Sequence, residues 1–244
     1  MIIIRYKEIS IKGKNRADFE RRLRHNIKHC LKKNGVEYEK VRRLRGRIVA
    51  HTNGKCPQLK DVFGIASFSY AEELPLDLDT IKEAALKLYK GGTFRITAQR
   101  SEKIFMTSQE LAVEVGAHIV VNADGKVDLH NPEQIIFIEL FDNKSFIYSE
   151  KIQGPGGLPI NRTDRVILLL QNKGSLEAGK QLLKRGYAFD VLKQEDIDWS
   201  ELKSYEYGFT IHEKEALPED ATVIVSDTVD DIREYPYFVL RPLI

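Results

Sequence analysis

The sequence predicts a mixed α+β and α/β chain of several small modules, and three observations carry that prediction. Apolar residues at four-residue spacing alternate with short alternating or continuous apolar runs, so helices and strands interleave along the chain. The length of 244 residues exceeds one typical compact unit, at about 100 to 200 residues per domain. A glycine-rich run beginning at Gly154 leads into the continuous apolar strand Val166 to Leu170 and then a helix near Ser175, the order of a parallel β-α-β unit.

Taken in order, Ile2 to Tyr6 reads as a strand. From Asn15 to Lys33, Phe19, Leu23, Ile27 and Leu31 form one helical stripe with Asn15 as its cap, while Arg21, Arg22, Arg24, Lys28 and Lys32 fall opposite. Strand signals return at Val41 to Thr52, interrupted by Arg45-Gly46-Arg47, and at Ile65 to Tyr70 after a short helix near Leu59 to Phe63. This order predicts a ferredoxin-like first module. Pro75 within the acidic stretch from Glu72 to Asp79 reads as a boundary. Beyond it, Thr80 to Glu83 forms a capping box for a helix with Ile81, Ala84, Ala85 and Leu88 on one face, and Phe94 to Ala98 alternates as a strand.

A second capping box, Thr107 with Glu110, opens a helix carrying Leu111, Val115 and Ile119. Strands follow at Val127 to Leu129, Ile135 to Phe141 and Phe146 to Tyr148, with Asp142-Asn143-Lys144 as a hairpin turn. The last module has strand Val166 to Leu170, a helix from Leu176 to Arg185 stopped by Gly186, and strands at Ala188 to Leu192 and Ala221 to Val225, a small Rossmann-like sheet. The predicted boundaries are 1–75, 76–160 and 161–244.

Charge is segregated along the chain. Residues 1–60 hold 18 Lys and Arg against 5 Asp and Glu, whereas 61–160 hold 9 against 15 and 161–244 hold 11 against 16. A basic first segment on a chain of net charge +2 is the electrostatic footprint of a nucleic-acid partner. No apolar run reaches the roughly 18 residues of a membrane span, and Met1 to Tyr6 is too short for a signal peptide, so the expected location is the cytoplasm. Cys30 and Cys56 form neither a disulfide framework nor a zinc pattern, and His25 and His29 sit among cations as solvated surface, so no metal site is expected. Cys30 falls on the apolar side of its helix, and Phe105 is expected to be buried, not to stack on a base.

Tyr6 to Arg16, Arg45-Gly46-Arg47-Ile48, Val62 to Ile65, Thr107-Ser108 with Glu110, Val115-Gly116-Ala117, Val127-Asp128-Leu129 and Gly154 to Pro159 follow one another in an order and spacing that resembles the tRNA 4-thiouridine synthases of the ThiI type. Lys7 departs from the pattern, where that family usually has glycine. The resemblance covers residues 1–160 and implies a ferredoxin-like domain followed by a THUMP domain that grips tRNA at its acceptor stem and 3′ end. The RNA-binding residues it singles out are Lys12, Lys14 and Arg16 at a strand-to-helix turn, Arg45 and Arg47, and Arg100, Lys103 and Thr107 before a helix N-terminus.

The family's catalytic domain is expected to open after the Gly-Pro-Gly-Gly-Leu-Pro hinge with a Ser-Gly-Gly-x-Asp-Ser loop for ATP phosphates. Here Gln171-Asn172-Lys173-Gly174-Ser175 stands in that place, the aspartate is missing, and Lys173 reads as part of a helix-capping loop. The later segment Val225 to Asp231 carries acids expected to repel phosphate, Val239 to Ile244 resembles a family strand, and neither cysteine matches the family's sulfur-carrying positions in the carboxy-terminal domain. The expectation is a tRNA-binding protein with a degenerate third domain, no catalytic residues and no cofactor of its own, acting as a homodimer or beside a complete modification enzyme. The rivals are an active ATP- and magnesium-dependent sulfurtransferase with an atypical site, and a structural module that no longer binds RNA.

Overall fold

The computed structural model describes residues 1–44, 46–101, 105–218 and 221–244, without the side chains of 162–165. Arg45 and Lys103 therefore lie outside the described residues. The chain divides into two compact units, one of Met1–Ile4, Tyr38–Lys55 and Phe68–Ile152, the other of Arg5–Glu37, Cys56–Ser67 and Gln153–Ile244.

The elements, in chain order, are β1 (Ile2–Arg5), α1 (Arg16–Lys33), β2 (Tyr38–Leu44), β3 (Arg47–Thr52), β4 (Ser67–Tyr70), β5 (Glu72–Pro75), α2 (Leu78–Leu88), β6 (Thr93–Arg100), α3 (Ser108–Ala123), β7 (Lys126–Val127), β8 (Gln134–Phe141), β9 (Lys144–Tyr148), β10 (Ile152–Gln153), β11 (Asn161–Leu170), α4 (Gly174–Lys184), β12 (Tyr187–Lys193), β13 (Glu213–Lys214), β14 (Val223–Ile224) and β15 (Val239–Leu240). A 3-10 turn at Pro57–Asp61 precedes β4, and the order over residues 1–70 is ferredoxin-like. What reads in sequence as one interrupted strand is the antiparallel hairpin of β2 and β3.

The first unit holds two five-stranded sheets, ordered β10-β4-β1-β3-β2 and β5-β9-β8-β6-β7. The second lies where the sequence resemblance places the THUMP domain. Helices α2 and α3 contribute Ile81, Ala85, Leu111, Val115 and Ile119 to a core with Phe94, Ile136 and Ile138, as the four-residue spacing predicts. Within the stretch read as a boundary, Glu72–Pro75 is itself a strand, paired antiparallel with β9. Its acids and proline are tolerable because β5 lies at the edge of the sheet. Helix α2 begins earlier than the predicted box: the side chain of Asp77 accepts from the amide of Thr80 and sets the start at Leu78. The hairpin between β8 and β9 turns on Asp142 and Asn143, with φ of 56° and 55°, the left-handed geometry of a two-residue turn.

The second unit contains a five-stranded sheet ordered β13-β12-β11-β14-β15, in which every pairing is parallel. Val166, Leu168 and Leu170 point into a core with Ala178, Leu182 and Phe189, while Ile167 and Leu169 pack with Val223 and Val225. Burial on both faces explains why β11 is apolar without alternation.

The glycine run before β11 is a strap, not a free hinge. The amides of Gly154 and Gly156 donate to Ala66 and Ile65, Gly64 donates to Gly156, and Leu158 donates to Lys184, while Gly157 donates to Glu8 Oε1 at 3.2 Å. A Cβ at Gly154 would lie 2.3 Å from the Ile65 oxygen, and one at Gly157, where φ is +73°, 2.2 Å from the Lys184 oxygen. Glycine is required there by close backbone approach.

Candidate nucleic-acid interface

Lys12, Lys14 and Arg16 belong to the second unit. They sit on two short 3-10 turns that lead into α1. Lys14 is exposed, and Lys12 Nζ lies 5.5 Å from the centre of the Phe19 ring. Phe19, expected on the buried stripe, is half-exposed; Glu20 is buried instead, at 3% exposure. Arg16 is committed to it. Its Nε donates to Glu20 Oε1 at 2.8 Å and one terminal nitrogen to the Tyr6 hydroxyl at 3.3 Å, while Tyr6 itself donates to Glu20. Burial first, then the Glu20 hydrogen bond, pushes the Tyr6 phenol above its ordinary range.

The same arrangement recurs in the first unit. Arg47 donates through Nε to Glu139 Oε2 at 3.0 Å and the Tyr148 hydroxyl donates to Glu139 Oε1 at 2.6 Å, with Glu139 only 4% exposed. Another nitrogen of Arg47 approaches Gln99 Oε1 at 3.5 Å. Arg100 donates to the carbonyl of Met106 at 3.0 Å, which brings it beside the start of α3. There the predicted capping box is complete: Thr107 Oγ1 accepts from the Glu110 amide at 3.1 Å and Glu110 Oε2 accepts from the Thr107 amide at 2.7 Å. Two of the amides that would greet a terminal phosphate are thereby satisfied. Phe105, expected to be buried, is 46% exposed with φ of 73°.

The outward face of α1 carries more of the basic charge than the turn before it. Arg21 and Lys32 are exposed, Arg22, Arg24 and Lys28 partly so, and the acids of the helix are Asp18 and the buried Glu20. Asp18 pairs with Arg21. The sequence displays these cations openly, but their role as a surface depends on Glu20 being turned inward.

At the carboxy-terminal end of β11, the side chain of Ser175 is fully buried. Its Oγ accepts from the amides of Gln171 at 3.0 Å and Asn172 at 3.3 Å and contacts Ser226 Oγ at 3.3 Å. Asn172 Oδ1 accepts from the Gly174 amide at 2.8 Å, and the Ser175 and Leu176 amides donate to Asn172 and Lys173 carbonyls. The loop closes on itself, as the helix-capping expectation for Lys173 has it. Asp227 differs from expectation. Although burial alone would raise its carboxyl, the Arg233 amide, the Tyr235 hydroxyl and the Arg241 guanidinium hold it below the usual range. It is a compensated internal charge, with Arg241 Nε at 3.0 Å.

Cys30 and Cys56 are both buried with sulfurs 3.8 Å apart. The hydrogen bond with Cys56 and burial push the Cys30 thiol up, while the same hydrogen bond pulls Cys56 down. Among the described residues, no group of three or more His, Cys, Asp and Glu could hold a metal, and no helix is long and apolar enough to cross a membrane.

The family description "ThiI ferredoxin-like domain" matches residues 1–69 and "THUMP domain" matches 76–150. A probable tRNA sulfurtransferase of Moorella thermoacetica is 37% identical over 215 residues, 84% of this chain and 55% of that protein. The chain belongs to the ThiI-type family. Its structure superimposes on the crystal structure of PH1313 from Pyrococcus horikoshii Ot3 with a TM-score of 0.87 and 31% identity, covering 100% of this chain and 94% of the other. A crystal structure of a 4-thiouridine synthetase–RNA complex with bound ATP matches with a TM-score of 0.66 and 31% identity, over 79% of this chain and 52% of that one. This ThiI-type chain spans about half the length of the curated relatives it matches, 55% and 50% for the first two.

Proposed function

We propose that this chain binds tRNA at the acceptor stem and 3′ end through its ferredoxin-like and THUMP domains, and that it serves tRNA modification in the cytoplasm without sulfurtransferase activity of its own. It presents tRNA to a complete modification enzyme, alone or as a homodimer. Support for RNA binding comes from the cationic face of α1, the exposed Phe105 and Lys14, and the similarity to a synthetase crystallised with RNA.

The observation that carries the loss of catalysis is the loop after β11. Phosphate binding at a helix N-terminus needs unoccupied amides, and the amides of Gln171, Asn172, Gly174, Ser175 and Leu176 already have partners within the chain. The loop does not fit nucleotide phosphates. The buried cysteine pair is also unsuited to sulfur transfer, which calls for an accessible thiolate.

Three measurements test the reading. With several phosphates engaged, raising salt from about 50 to about 200 mM lowers tRNA affinity by roughly a hundredfold; affinity unchanged over that range counts against RNA binding. A duplex lacking a single-stranded 3′ end binds more weakly than the intact acceptor stem. Given ATP, magnesium, a persulfide donor and tRNA, the protein forms no 4-thiouridine by nucleoside mass spectrometry. Product formation restores the sulfurtransferase alternative.

A further inference from the structure

In the second unit, α1 and the backbone near Ile160 and Gly208 enclose a cleft of about 470 Å³ lined by Asp18, Arg21, Arg22, His25, Asn26 and Gly208. Two guanidiniums and an imidazole face a single carboxylate, and that carboxylate is already the partner of Arg21. The Arg22 guanidinium is held over the Phe19 ring, 5.7 Å from its centre, which fixes its direction without neutralising it. Asn26 forms the floor, 3% exposed, with Nδ2 at a long 3.4 Å from the Ile160 carbonyl. Gly208, with φ of +84°, closes the wall: a Cβ there would lie 2.1 Å from Asn26 Oδ1, so only glycine lets this loop approach the helix.

Further along α1, His29, Lys32 and Lys33 line a second cleft of about 540 Å³ with Glu206, Phe209 and Thr210. Lys33 lies 3.8 Å from the Glu206 carboxylate, whose Oε1 also accepts from the Ile211 amide at 2.7 Å. The two clefts follow each other along one helix, offset by roughly seven residues, or about 10 Å. A lone anion would fill one of them. A chain of phosphodiesters matches the series, and arginine's planar fork suits phosphate oxygens.

We infer that the Arg21–Arg22–His25 cleft holds a backbone phosphate of the bound RNA, with the neighbouring cleft continuing along the same strand. This rests on the RNA-binding reading above and gives it a location on α1 beyond the amino-terminal turn.

The experiment is a tRNA titration at several salt concentrations with the wild type, Arg21→Gln/Arg22→Gln, Asp18→Asn, and a control, Lys180→Gln/Lys184→Gln, which removes the same charge from α4. The arginine pair weakens binding about tenfold and lowers the salt slope by about one to two. The control stays within about twofold, and Asp18→Asn tightens binding a few-fold by removing the cleft's carboxylate. Equal losses from the arginine pair and the control, with wild-type binding intact, overturn the cleft and leave RNA binding standing; no salt-sensitive binding by the wild type overturns the RNA reading itself. A parallel titration with inorganic phosphate distinguishes a free anion: displacement of tRNA at about 1 mM phosphate reassigns the cleft to small anions and overturns the inference. Circular dichroism and thermal melting of each variant establish that the losses are not losses of fold.

Discussion

Helices α1 and α4 begin alike in sequence, one after Lys12-Gly13-Lys14-Asn15 and the other within Asn172-Lys173-Gly174-Ser175, yet they use those residues in opposite ways. At α1, Asn15 makes no side-chain cap bond, Lys14 stands in solvent, and the helix displays cation after cation. At α4, the buried Ser175 hydroxyl and the side-chain oxygen of the exposed Asn172 accept from the loop's amides. A loop whose polar groups are satisfied within the chain is structure; one that leaves charge outside is available to a partner. Residue type does not distinguish them, because lysine and glycine occur in both.

The arginines divide the same way. Arg16 and Arg47 each serve a buried glutamate shared with a tyrosine, whereas Arg21 and Arg22 face a cleft. The largest expected contrast between α1 and α4 is in RNA affinity. Lys12→Gln/Lys14→Gln/Arg22→Gln lowers tRNA affinity by tenfold or more, while Lys173→Gln/Lys180→Gln/Lys184→Gln stays within about twofold. Similar losses in a filter-binding or polarisation titration would erase the distinction between the two helices.

Stability sharpens it next. Glu139→Ala leaves the buried Tyr148 hydroxyl and the Arg47 guanidinium without their shared acceptor and destabilises the fold by about 3 kcal/mol. Glu20→Ala loses about 2 kcal/mol or less, because Arg16 is 39% exposed against 21% for Arg47 and water takes up part of the loss. Urea unfolding ranks the two, and the reverse order would show that exposure does not set the difference. A smaller effect compares the helix starts directly. Ser175→Ala strands two amides and costs about 1 to 2 kcal/mol, while Asn15→Ala changes stability by less than about 0.5 kcal/mol because no cap bond is lost.

The smallest effect is in pH. Asp227 is held below the usual carboxylate range against the opposing effect of burial, so the native state binds fewer protons than the unfolded one. Its contribution is complete above the unfolded value near 3.9 and is lost as pH falls through the lower folded value. Asp227→Asn therefore lowers the melting temperature at pH 7 and narrows to no difference in strong acid. A constant difference from pH 7 down to pH 2 would remove Asp227 from the acid response.

Much of the fold was legible because its signals are local. The α1 stripe through Leu23, Ile27 and Leu31, the Thr107–Glu110 box and the Asp142-Asn143 turn each need only their neighbours in sequence, and each is present. The β5 strand was not legible, since four residues with two acids and a proline gain their pairing only from β9, about seventy residues away.

The segregation of charge, the order of helices and strands, and the absence of the Ser-Gly-Gly-x-Asp-Ser loop from the position after β11 are all written in the linear chain. Which cations remain outside depends on how the chain packs. Glu20 and Glu139 look like surface residues on any hydropathy reading, but burial removes water from their carboxylates, and a buried carboxylate must be met by donors. Tyr6 with Arg16 and Tyr148 with Arg47 meet that need. The same constraint joins residues 14 positions apart in one case and 92 in the other, a pairing that no local pattern encodes.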